Sequence, residues 1–60
     1  MYEHRGPYLF TESGCIDCEI NHLIFGWLPF TADENDIEEI GRNTYQDIIA
    51  NQTVIPYEGE

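Results

Sequence analysis

Cys15, Cys18 and His22, with His4 upstream, are the residues whose types could hold a metal, and thiolate and imidazole donors would suit zinc. Their spacing argues against that use. Residues 15–22 read Cys, Ile, Asp, Cys, Glu, Ile, Asn, His, so Ile16, Cys18, Ile20 and His22 share one face of a period-two strand while Cys15, Asp17, Glu19 and Asn21 share the other. In a strand, residues three apart point to opposite faces and residues four apart lie about 13 Å from each other. Ile16-Asp17 lacks the glycine or proline a metal knuckle would favour, so Cys18 reads as a small core hydrophobe. A zinc-stapled adaptor through Cys15, Cys18, His22 and His4 stays as an alternative. Redox chemistry at the CxxC would need its first cysteine at a helix N-terminus, and this one falls on a strand. A nucleophile would have to combine Cys15, Cys18 or Ser13 with His4 or His22, and no glycine-rich oxyanion loop accompanies them. The expectation is no catalytic residue, no cofactor and no metal, with His22 closing the end of its strand through backbone hydrogen bonds. Glu38 and Glu39 lie about 100° apart on a helix and read as a solvated face.

Composition bounds what else the chain can do. Twelve acids, two arginines and no lysine give a formal charge of -10 over 60 residues. A surface that neutralises phosphates needs clustered cations, and Arg5 and Arg42 cannot supply one, so direct nucleic-acid binding and attraction to anionic membranes are excluded as expectations. Such charge keeps copies apart and favours a basic or strongly complementary partner. Hydrophobic residues at 42% and aromatics at 13% place the chain among folding sequences rather than disordered ones. No export or membrane-spanning segment is expected, since the apolar residues 23–30 are interrupted by Gly26 and Pro29, and the cysteines are expected to be reduced thiols. The Asn51-Gln52-Thr53 sequon carries no weight without export. A core this small rarely leaves more than about 3 to 5 kcal/mol of stability, so help from assembly is expected.

The fold class expected is α+β: a small β-hairpin or three-stranded sheet packed on one amphipathic helix, in a single small domain over residues 1–60. Residues 1–6 show no period and read as a tail ordered by docking. Residues 7–11 are strand formers, and Ser13-Gly14 supplies the turn into the second strand. Residues 23–30 predict a turn and a short edge strand, with Gly26 at a bend and Pro29 barred from a central ladder. Asp33 is the expected N-cap with Asp36 at N3, or Thr31 and Glu34 form a capping box, and the helix spans about residues 34–50. Its apolar stripe is Ile37, Ile40, Tyr45, Ile48 and Ile49, with Gly41 admitting another backbone or the Trp27 ring. Asn51 terminates it, and residues 53–55 read as a last short strand.

Eight aromatic rings are more than one helix over a small sheet can cover, so some are expected at an interface. The interface candidates are Tyr8, Phe10, Phe25, Trp27, Phe30, Tyr45 and Tyr57, together with Arg42, which could pair with Glu38 or Glu39 or stack on Trp27.

Asp17-Cys18-Glu19-Ile20-Asn21-His22, then Gly26-Trp27-Leu28-Pro29-Phe30-Thr31-Ala32, Asp36-Ile37-Glu38 and Gly41-Arg42 resemble a short segment that recurs in small and tail or tail-fibre-associated proteins of tailed bacteriophages and prophages. The resemblance covers residues 15–57, and the block at residues 26–32 followed by Gly41-Arg42 is its most specific part. Family members often carry Ser-Pro where this chain has Asp33-Glu34, and usually a glycine after the helix where it has Asn51. The resemblance implies a non-enzymatic, minor structural protein of the virion, in the tail or fibre apparatus, assembled in the host cytoplasm with itself or with other particle proteins. It brings no catalytic motif and no small-molecule substrate. A second expectation is an acidic inhibitor that mimics nucleic acid and blocks a host DNA-binding protein through residues 33–39 with Glu19 and Asp17. Salt-sensitive binding would mark it.

Overall fold

The computed structural model describes residues 2–58. Strands β1 (His4–Phe10), β2 (Ile16–His22) and β3 (Gly26–Ala32) form an antiparallel sheet in the order β1-β2-β3, and helix α1 (Glu39–Asn51) packs against it on β3. This is the α+β arrangement the sequence predicts. The alternation of β2 explains its central place, because Ile16, Cys18 and Ile20 are buried while Asp17 is exposed. Tyr8, Ile16, Cys18, Ala32 and Ile48 form the core, with Phe10, Phe30, Tyr45 and Val54 packed around it.

The stretch read as a tail is, from His4 onward, a strand; Met1 lies outside the described residues. His4 pairs with Ile20 and Arg5 with Glu19, after which the register shifts before Leu9 meets Asp17. Four β1 steps there span two on β2, so no uninterrupted alternation marks the strand in the sequence. Gly6-Pro7 is cis within this irregular stretch.

The helix start also differs from expectation. Asp33 and Asp36 do not cap it: their carboxylates accept the N–H groups of Asn35 and Glu38, two residues on, and hold the backbone in successive turns. The helix begins only at Glu39, and its N-cap Glu38 makes no side-chain cap bond. Ile37 therefore lies ahead of the helix and is 92% exposed. The buried stripe is Gly41, Thr44 and Ile48, with Thr44 satisfying its hydroxyl on the Ile40 carbonyl. Gly41 does admit a close neighbour, which is the Asp36 carboxylate rather than a backbone or Trp27; any Cβ there would collide with it. Asn51 is the last helical residue, and among the described residues no non-glycine takes the left-handed conformation. Its amide instead donates to the Asp47 carbonyl and carboxylate.

Both sheet edges are managed. Asn21 N–H donates to the Glu3 carbonyl, so the odd-numbered β2 amides face β1 and the even-numbered ones face β3. Pro29, opposite Glu19, thus falls between hydrogen-bonded pairs; its missing donor leaves the ladder intact and interrupts the outer edge of β3. On the other side, Phe10 N–H donates to the Ile55 carbonyl and Ile55 N–H to the Tyr8 carbonyl, so the expected last strand is a parallel bridge on β1.

Candidate functional site

The β2–β3 ladder runs without interruption from Ile16↔Ala32 to His22↔Gly26, and residues 23–25 join the strands. A three-residue connection of this kind needs a left-handed residue, and Gly26 supplies it at φ +73°. His22 Nδ1 accepts the N–H groups of Ile24 at 3.1 Å and Phe25 at 3.4 Å, as expected of a strand-end histidine. These two turn N–H groups are thereby satisfied from within, while the turn's side chains lie exposed. Leu23 is 91% exposed, Ile24 79% and Phe25 70%. Tyr2 and Phe25 brace the base of this tip, with ring centroids 5.3 and 5.1 Å from His22.

Three adjacent large apolar side chains at a turn, where polar residues are usual, form a contiguous patch. Ile37 is equally exposed but stands alone between Asp36 and Glu38. The tip also lies in the longest stretch without a formal charge, residues 20–32. It offers no nucleophile and no charge; what it can do is enter an apolar cavity, where each side chain would contribute roughly 1.5 to 3 kcal/mol on full burial.

Of the interface candidates, the structure brings only Phe25 to this tip. Tyr8 is core, and Phe10, Phe30 and Tyr45 pack against the core. Trp27 lies on the outer face of the sheet under the Arg5 guanidinium, 4.0 Å from its ring centroid, where Arg5 also donates to Glu19. Arg5, not Arg42, is thus the cation on Trp27. Arg42 turns to the Asp36 and Ile37 carbonyls and closes the loop before α1, instead of pairing with Glu38 or Glu39. Tyr57 lies at the opposite end of the sheet, donating to Glu12. Leu23 and Ile24 were not among the candidates; their signal was an apolar run between His22 and the bend at Gly26.

The chemistry-bearing residues are dispersed. His4 is held between Tyr8 and Asp47: a carboxylate only accepts, so Nε2–H donates to Asp47, and in the neutral imidazole Nδ1 accepts the Tyr8 hydroxyl at 2.8 Å. This ties β1 to α1. Burial, with lesser contributions from Cys18 and Asp47, pushes the Tyr8 phenol above its ordinary value and keeps it protonated. Burial, then Asp17 and Glu19, pushes the Cys18 thiol up to about 11. Cys18 sits in the core as expected, and no three of Cys15, Cys18, His22 and His4 come together; among the described residues no group of His, Cys, Asp or Glu is placed to hold a metal ion. In residues 33–39, two of the five acids, Asp33 and Asp36, turn onto their own backbone.

Comparison with known proteins finds no matching family model, no matching curated protein and no matching solved structure.

Proposed function

We propose that this chain is a non-enzymatic docking domain, a minor structural component of a bacteriophage particle in the tail or tail-fibre apparatus, seated on a neighbouring subunit by its β2–β3 tip. The observation that carries the docking role is the exposure of Leu23, Ile24 and Phe25 side by side on a turn whose Ile24 and Phe25 N–H groups are bonded to His22. The particle context rests on the resemblance over residues 15–57. The occupant is an apolar socket on another particle protein rather than a second copy, because a convex tip needs a concave receptor and two chains of charge -10 repel. Strand addition is disfavoured by Pro29 on one edge and Ile55 on the other. Direct nucleic-acid contact is disfavoured too, since both arginines are engaged within the fold. No helix among the described residues is long and apolar enough to cross a membrane.

Mass spectrometry of purified particles tests the reading: the chain is expected in them and retained through washes at high salt, as apolar docking requires. Absence from particles, together with salt-labile capture of a basic host protein, would favour the nucleic-acid mimic instead.

A further inference from the structure

The other end of the sheet carries a second site, independent of the tip. Leu9 on β1, Ile55 on the bridging C-terminal segment, Tyr57 and the acidic residues Glu12, Asp17 and Glu58 line an open groove of about 400 Å³. We infer that this groove receives a cationic side chain, arginine in preference to lysine, from an extended segment of a partner protein.

The inference stands on shape and charge together. The cavity is of the size that takes a small ligand group, and its lining is mostly apolar, which suits the methylene stem of a long basic side chain. Tyr57 lines the groove and donates its hydroxyl to Glu12 at 3.3 Å, and an aromatic ring is a partner on which a guanidinium can stack. Asp17 accepts one hydrogen bond from Thr31, through Oδ1. A cleft lined by one sign of charge concentrates the opposite ion. Among the described residues neither arginine answers it, and the sequence has no lysine: Arg5 is paired with Glu19 over Trp27, and Arg42 is turned to the Asp36 and Ile37 carbonyls. The cation is therefore sought on a partner.

The test uses the full chain labelled for NMR and three blocked pentapeptides, Gly-Ser-X-Ser-Gly, with X as arginine, lysine or citrulline. The arginine peptide is expected to shift Leu9, Ile55 and Tyr57 saturably, the lysine peptide more weakly, and citrulline, which keeps the shape without the charge, at least about fivefold more weakly. Glu12→Gln with Glu58→Gln should weaken the arginine peptide about tenfold, at roughly threefold per exposed carboxylate, and Tyr57→Ala should weaken it as well. Phe25→Ser should leave it unchanged, which separates this site from the tip. Equal binding of arginine and citrulline, shifts confined to residues outside the groove, or no saturable shift would each overturn the inference. So would concentration-dependent self-association that fills the groove with another copy.

Discussion

At one end of the sheet, Leu23, Ile24 and Phe25 project from a turn with no charged residue between positions 20 and 32; at the other, Leu9, Ile55 and Tyr57 lie in a groove bordered by Glu12, Asp17 and Glu58. About five residues of β2 separate Asp17 from His22, or roughly 17 Å at 3.3 Å per residue. The same β2 ladder positions both ends, yet one is convex and uncharged and the other concave and acidic. A convex apolar tip gains by leaving water and is insensitive to salt, whereas a charged groove selects its partner by sign and weakens as salt is added. A chain of 60 residues can thus carry two contacts of different physics on one small sheet.

The largest effect should come from the core that both ends share. Ile48 is fully buried where α1 meets the sheet, and Ile48→Ala should remove about 2 to 5 kcal/mol, enough to unfold a domain of this size at ambient temperature. A urea melt that still shows a cooperative folded state of unchanged midpoint would break the claim of a shared support. Gly26→Ala separates conformation from contact at the tip. Nothing lies within 4 Å of the added Cβ, but φ +73° is left-handed, so a loss of roughly 1 to 2 kcal/mol is expected from backbone strain alone. A thermal melt matching wild type would contradict this.

The alkaline limb of stability reports on the core beneath β2. The folded Cys18 thiol is pushed up to about 11 from an ordinary value of 9.0, so the unfolded chain releases its proton first. This contribution is complete below pH 9 and is lost as pH rises through about 11. Tyr8 and Tyr45, both raised chiefly by burial, act in the same direction at higher pH. Cys18→Ala should therefore flatten the decline between pH 9 and 11 while leaving the tyrosine part; an unchanged slope in denaturant melts would refute the assignment.

The smallest effect belongs to the sheet's outer face. Arg5, Glu19 and Trp27 are all partly solvent-exposed, so Arg5→Gln should change stability by no more than about 1 kcal/mol and leave both ends functional. A larger loss in the same melt would mean that the Arg5, Glu19 and Trp27 cluster is part of what holds the sheet together.

Much of the sheet was legible because burial writes itself as alternation: Ile16, Cys18 and Ile20 inward against Asp17 outward could be read directly. Pro29 marked an edge strand for the same kind of reason, a missing donor. β1 was illegible from His4 to Gly6 because its register shifts, and a strand without a period resembles a tail. The acids at residues 33–39 misled on the helix start, since aspartate side chains bond a nearby N–H equally well in a cap or in a turn, and only the tertiary course of the chain decides. Arg5 takes the place over Trp27 expected of Arg42 because proximity to Trp27 is set by strand pairing, not by sequence distance. The tip was half legible: the bend at Gly26 was clear, while the outward aim of Leu23 and Ile24 depends on His22 holding the turn backbone.

The central claim is that the β2–β3 tip is the docking surface, and site-specific photocross-linking in assembling particles tests it most directly. A photoreactive residue in place of Ile24 should yield a covalent adduct with one particle protein, resistant to high salt during assembly, while the same residue in place of exposed Gln46 on α1 should yield none. An adduct from position 46 with none from position 24, or no adduct from either in particles that contain the chain, would contradict it.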